Sequence, residues 1–430
     1  MRVHTSSSSA RSVAKPNLLF ISPVMPALTG NGLAMRAGIM LEALAADYDV
    51  HLLVIPVVGA PSGSGVDRWA SRWCARLAVH RVGDRVDPLF RLIARIKDPR
   101  ERLAAHARYP RPLLCRFATT RAVGDAARLF QGVRFREVHV FRLYMAPFAE
   151  PYLAGGAADR PTCRLDLDDH ESRTRRGLAA LHEAAGDEAG ASVERSEADR
   201  YAVLERHYLP RFHRVYVCSE ADRRALARHD GCRHAAVIPN AVRLPVSTTA
   251  GRRDGPFTFL FVGTLGYYPN EDAALFFCSE VLPRLRVAAR EPVRVLLVGT
   301  NPSARVRALA RAGAVTVTGA VPDLAEYYAA ADAVVVPLRA GGGTRIKVLE
   351  AFSHRRPVVS TGAGAQGIDA RRETHLLIAD TPRAFAEQCV RLIQAPRLRR
   401  ELATRAFQFD KAHHTPARIR ELLREDHRRP

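Results

Sequence analysis

Long apolar runs are absent from this 430-residue chain. Nowhere do the roughly 18–20 uninterrupted apolar residues of a membrane-spanning helix occur, so the chain is expected not to cross a bilayer. Cysteine is sparse too. Its seven residues (Cys74, Cys115, Cys163, Cys218, Cys232, Cys278 and Cys389) contain no C-x-x-C and no pairable rhythm. That excludes a disulfide scaffold and a zinc module, and it reads as buried thiols in a reducing, cytoplasmic setting. Aromatic residues make up only 7%, and the basic tracts lack the aromatic interleaving of single-strand nucleic-acid binders. Lysine is nearly missing: Lys15, Lys97, Lys347 and Lys411 are the four among 65 basic residues. Met1–Lys15 is serine-rich, and the apolar segment behind it is broken by Pro23 and Pro26. It reads as a loose tail rather than a signal peptide.

Positive charge is in excess. Basic residues outnumber acidic ones 65 to 44, and between Asp67 and Arg136 the ratio is 17 to 6. Codon bias toward arginine explains Arg over Lys but not this imbalance. The field favours anionic partners: phosphorylated small molecules, an anionic membrane surface or nucleic acid. Asp87–Asp98 adds an amphipathic pattern, with Leu89, Leu92, Ile93 and Ile96 on one helical face and Arg91, Arg95 and Lys97 around it. It predicts peripheral attachment to the inner face of an anionic membrane; an ordinary core-facing helix is the alternative.

Short β-branched runs alternate with helical patterns over most of the length. Strands are predicted at Asn17–Ser22, Val50–Val57, Glu137–Arg142, Cys163–Leu167, Arg214–Cys218 and Ala235–Ile238. A second set follows at Phe257–Gly263, Val293–Gly299, Val315–Thr318, Ala333–Pro337, Pro357–Ser360 and Leu376–Ala379. Continuous apolar strands between helices imply parallel sheets covered on both faces. The expected class is α/β, with two doubly wound, Rossmann-like domains facing across a cleft. Residues 1–16 form the tail, 17–242 the first domain, 243–256 a Pro/Gly/Ser/Thr-rich linker, 257–395 the second domain and 396–430 a helical tail.

Several loops at predicted strand ends carry chemistry. In Val334–Glu350, a strand is followed by Gly341, Gly342, Gly343 and Thr344, then a helix. Backbone N–H groups there favour an anion. Arg345 adds a planar fork and Lys347 a mobile point charge, while Glu350 is placed to accept ribose hydroxyls. The plain alternative is a tight turn with Lys347 and Glu350 as an exposed i,i+3 pair. Gly263 and Thr264 lie on a second strand-to-helix turn, and Gly319 ends another strand where backbone can read a nucleobase edge. In the first domain, Gly30 and Gly32 precede a helix. Behind another strand, Asp166, Asp168, Asp169, His170 and Glu171 cluster, which suits metal or acid–base work; a helix start capped by Asp169 or Ser172 is the alternative.

Together these pieces resemble the retaining nucleotide-sugar glycosyltransferases of the GT-B fold, family four (glycosyl transferases group 1). The resemblance rests on VIPNAV, FLFVGTLGYYPNEDAALFF, VRVLLVGTNP, VTVTGAVPDLAEYYAAADAVVVPL and GGGTRIKVLEAFSHRRPVVSTGAGAQGI, covering about 237–380 in the family's order. SPVMPALTGNG, DLDDHES and RVYVCSEADRRAL extend it more loosely into the first domain. The resemblance implies transfer of a sugar from a nucleoside diphosphate sugar with retention, no metal cofactor, and a glycan or lipid-linked acceptor. Glu350 matches the second glutamate of the E-x7-E motif, which holds the donor ribose. Arg345 and Lys347 suit the diphosphate, and Gly30 and Gly32 match the glycine loop beside it. His170 or Asp169 is expected on the acceptor side. Two departures stand out. The first glutamate of the motif falls at Gly342, and the usual Arg and Lys after the second domain's first strand are replaced around Thr264 and Pro269–Asn270.

Rival readings remain: a nucleotide-sugar epimerase of the same fold, a metal-dependent transferase using Asp166 and Asp168 as a D-x-D site, an inactive scaffold, and a nucleic-acid binder. The epimerase needs cleft histidines and carboxylates that the second domain offers mainly as Glu350. The D-x-D enzyme leaves the second domain unexplained.

Overall fold

In the computed structural model, residues 15–57, 64–82, 86–154, 160–229, 232–245, 255–343 and 345–428 are described. Most of the expected tail, most of the linker and Thr344 lie outside them. Among the described residues, thirteen strands form two sheets. The first holds β1 (Asn17–Ser22), β2 (Asp49–Val54), β3 (Arg76–Val79), β4 (Glu137–Phe141), β5 (Thr162–Asp168), β6 (Arg214–Val217) and β7 (Ala235–Val237), in the order β3-β2-β1-β4-β5-β6-β7. The second holds β8 (Phe257–Val262), β9 (Val293–Val298), β10 (Val315–Val317), β11 (Ala333–Val336), β12 (Val358–Ser360) and β13 (Leu377–Ile378), in the order β10-β9-β8-β11-β12-β13. Every pairing between these strands is parallel.

The two-domain α/β architecture follows from the sequence. All six residues of β8 are buried, with Phe257, Phe259 and Phe261 on one side of the strand and Thr258, Leu260 and Val262 on the other. A strand apolar on both faces needs helices above and below it. Twelve of the strands lie where the residue pattern puts them. The unforeseen one is β3, a four-residue edge strand whose outer residues are exposed.

Strand order reverses between β1 and β4 in one sheet and between β8 and β11 in the other. Loops leaving neighbouring strands diverge at such a point and open a crevice at their carboxyl ends. The segments bearing Gly30 and Gly32, Gly263, Gly319 and Gly341–Gly343 leave those ends. The helical tail divides: in helix Pro396–His413, Leu402 and Ala406 join the second domain's core, whereas Ile419 and Leu423 of helix Pro416–His427 join the first domain's. Asp426 in that last helix meets Arg164 and Arg214, 3.2 Å from Arg164, and accepts from the Tyr216 hydroxyl at 2.9 Å. The seven cysteines are free thiols, five of them buried. No helix of the described residues is long and apolar enough to cross a membrane.

Candidate active site between the two domains

The loop after β11 is held by its own arginine. Gly341 has φ +129°, a conformation that glycine adopts without the clash a β-carbon would bring. This turns the chain so that Arg345, at the start of helix Ile346–Ser353, folds back to donate to the Gly342 carbonyl and, at 3.3 Å, to that of Ala363. Its remaining Nη2 is buried without a hydrogen-bond partner. A guanidinium nitrogen in that state costs free energy until an acceptor arrives. Burial pulls the Arg345 pKa down, and the charges of Asp169, Tyr267 and Asp222 oppose this.

Lys347 and Glu350 lie on the same helix but do not form the exposed surface pair. The Lys347 ammonium donates to Asn270 Oδ1 at 2.6 Å and sits 4.4 Å from the Phe261 ring centroid. Desolvation, with Arg345 close by, lowers its pKa to about 7. Glu350 accepts from the Tyr328 hydroxyl at 3.2 Å, and burial raises its carboxyl to about 7. Gly263 is in the same group: a β-carbon there would lie 2.9 Å from Asn270 Nδ2 and 3.1 Å from Lys347 Nζ. Asn270 also donates to the carbonyl of Thr264 at 3.0 Å. Gly319, past the end of β10, is exposed with open space around it.

The first domain meets this loop directly. A β-carbon added at Gly342 would overlap Asp169 Oδ1 and Thr174 Oγ1. At Gly32, which opens helix Gly32–Ala45, it would lie 2.8 Å from Ile346 Cδ1. Two helix starts, one from each domain, thus approach each other, preceded in the chain by the Gly30 loop and the Gly341–Gly343 loop. Asp169 accepts from the Thr174 hydroxyl at 2.6 Å; burial, with Glu171 beside it, raises its pKa to about 6. His182 stacks on Tyr268 of the second domain at 3.8 Å between centroids, giving helix Glu171–Ala184 a second foothold.

The other members of the acidic cluster have structural partners. Asp166 is fully buried and gripped by Arg36 through both oxygens, at 2.8 and 2.9 Å. Asp168 accepts from Arg142 at 2.9 Å, from Cys218 at 2.9 Å and from Asn240 at 3.2 Å. The D-x-D pair is therefore neutralised by arginines. His170 is buried, 3.5 Å from Glu205 and 3.4 Å from the Ser172 hydroxyl. No cluster of three or more potential metal ligands occurs among the described residues. Tyr328 and Thr174 escaped the sequence reading, and Asn270 entered it only as a departure from the family pattern; their contacts with Glu350, Gly342 and Lys347 join segments distant in the chain.

Comparison with known proteins follows the same lines. Residues 256–395 match the family described as glycosyl transferases group 1. No curated protein matches the sequence significantly. Among solved structures, sucrose-phosphate synthase from Thermosynechococcus elongatus aligns over 96% of this chain and 98% of its own, at 17% identity and a TM-score of 0.66. A glycosyltransferase from Rickettsia africae aligns over 97% and 100%, at 11% identity and a TM-score of 0.62. Anabaena HepE, solved with UDP and glucose, aligns over 95% and 98%, at 14% identity and a TM-score of 0.60. These likenesses extend over both domains, and the chain has the GT-B fold.

Proposed function

We propose that this chain is a glycosyltransferase that moves a sugar from a nucleoside diphosphate sugar to a glycan or lipid-linked acceptor, with retention of configuration. The observation that carries the reading is the Arg345 guanidinium, buried at a helix start with one nitrogen unpartnered. Lys347 lies two residues on and Glu350 a turn beyond. A diphosphate supplies the acceptor oxygens that Arg345 lacks, and guanidinium and ammonium together offset charge that grows on the leaving group. Glu350, once ionised, accepts from ribose hydroxyls. Gly30, Gly32, Gly263, Thr264, Gly319 and Gly341–Gly343 let backbone approach the donor; Thr344 lies outside the described residues.

Asp169 gives a physical account of Gly342. The loop has no carboxylate at that position, and the space beside it holds the Asp169 carboxylate from the opposite domain. In this reading Asp169 serves the donor sugar in place of a side chain at 342. His170, one residue on, belongs to the acceptor side.

The same reading needs no divalent metal, because cations of the chain sit at the proposed diphosphate site and the D-x-D carboxylates are bound to Arg36 and Arg142. Product stereochemistry by NMR, with and without EDTA, tests both statements. A retained anomer formed equally in EDTA is expected; an inverted product or complete EDTA inhibition sinks the reading.

A further inference from the structure

A cavity of about 740 Å³ opens beside the cleft, between helices Glu171–Ala184, Glu188–Tyr208 and Glu220–His229 of the first domain. Five arginines line it: Arg173, Arg176, Arg206, Arg224 and Arg228. Arg224 is held by Glu220 at 3.0 Å, and Arg173 lies 3.5 Å from Asp222. Arg176, Arg206 and Arg228 have no hydrogen bond or ion pair among the described residues. Ala202, Ala221 and Ala225 form the wall between them, so small side chains leave the space that the cations surround.

The concentration of charge is costly unless something answers it. Like charges gathered around one solvent-open space repel, and surface carboxylates normally neutralise them; all five arginines are exposed. Here three stay unanswered. Planar guanidinium forks on three separate helices suit a tetrahedral oxyanion, which accepts from several directions at once. The position ties the cavity to the transferase site. His170 lines it, one residue from the Asp169 carboxylate that abuts Gly342. Asp222, buried behind the wall 3.5 Å from Arg173, is also a carboxylate whose charge reaches Arg345.

We infer that this cavity binds a phosphate-bearing group and holds the acceptor by it, so that the acceptor is a phosphate ester. The binding stands by itself; assigning it to the acceptor rests on the transferase reading above.

Titration calorimetry of the full chain with inorganic pyrophosphate at low salt tests it, in wild type, Arg345→Ala and the triple variant Arg176→Ala/Arg206→Ala/Arg228→Ala, the last made on the Arg345→Ala background so that the proposed donor diphosphate site does not contribute. Binding should persist in Arg345→Ala and weaken at least tenfold in the triple variant, whose melting temperature should stay near that of Arg345→Ala because those side chains have no partners to lose. Arg206→Glu alone on that background should weaken it as well, which guards against a triple variant that fails to fold. Parallel titrations with glycerol phosphate and with phosphatidic acid vesicles show whether the favoured phosphate is free or lipid-borne. If the cavity variants bind as Arg345→Ala does, or if Arg345→Ala abolishes all binding, the cavity is not the anion site, while the proposed transferase stands. Binding at the cavity without transfer from any nucleotide sugar leaves the anion site in place and removes its assignment to an acceptor.

Discussion

Lys347 and Glu350 both titrate near neutrality, in opposite senses, and their partners explain why. Burial favours the uncharged form of each, and neither Asn270 nor Tyr328 supplies a full countercharge. For Glu350 the folded value lies above 4.5, so without ligand its contribution to stability falls as pH rises from 4.5 to about 7. For Lys347 the folded value lies below 10.5, so its contribution recovers from about 7 toward 10.5. Nucleotide binding reads the same pair in reverse, because it needs the lysine protonated and the glutamate ionised. Affinity should therefore peak near pH 7 and fall up to about tenfold per unit on either side. Lys347→Met should flatten the alkaline limb and Glu350→Gln the acid limb. Calorimetric titration with nucleoside diphosphate between pH 5 and 9 checks this; equal affinity across the range contradicts it.

Much of the grouping at the proposed site was legible residue by residue. The glycine run, the rare lysine and the carboxylate two turns into the helix lie within ten positions, so sequence alone brings them together. Asn270 was not legible as the partner of Lys347, because 77 positions separate them. The five cavity arginines sit on three helices and meet only when those helices pack. In a chain that writes nearly every cation as arginine, five more carry no signal of their own.

Among elements, the start of helix Glu171–Ala184 matters most, because it presents Asp169 and Thr174 to the glycine loop. Gly342→Ala should push these groups away and part the domains locally, lowering turnover by at least tenfold. Thr174→Gly in the same chain should restore part of it by vacating one of the two overlapping atoms, and kcat with melting temperature for single and double variants decides. An unaffected Gly342→Ala enzyme means the domains do not meet there during catalysis. Helix Pro88–Ala94 is shorter than its pattern suggested, since Asp98 caps a separate helix from Pro99. Ile93 is buried, but Leu89 and Leu92 are 46% and 59% exposed beside Arg91, Arg95 and Lys97. We propose that this face holds the chain to anionic membranes. Leu89→Ser/Leu92→Ser should cut sedimentation with phosphatidylglycerol vesicles several-fold; equal binding to neutral vesicles argues against it. The strand β3 shows what element-level pattern misses: its Arg-Leu-Ala-Val sequence is half exposed at a sheet edge, so it lacks the apolar run that marked its neighbours.

Across the molecule, the doubly wound sheets place the loops of Gly30–Gly32, Gly263 and Gly341–Gly343 at carboxyl strand ends beside the crevice, and the last helix returns to lock onto the first domain through Asp426. Parallel order and domain number could be read from the alternation of apolar strands and helices. The return of the last helix could not, because Arg164 and Asp426 are 262 positions apart. The central claim is that the crevice binds a nucleoside diphosphate through Arg345 and Glu350. Thermal shift of wild type, Arg345→Ala and Glu350→Gln with UDP, GDP and ADP tests it most directly, since a ligand of the folded state raises the melting temperature with its affinity. One nucleotide should raise the wild-type midpoint clearly and both variants much less, each shift read against that protein's own unliganded midpoint. No shift with any nucleotide, or equal shifts in all three proteins, would contradict the account.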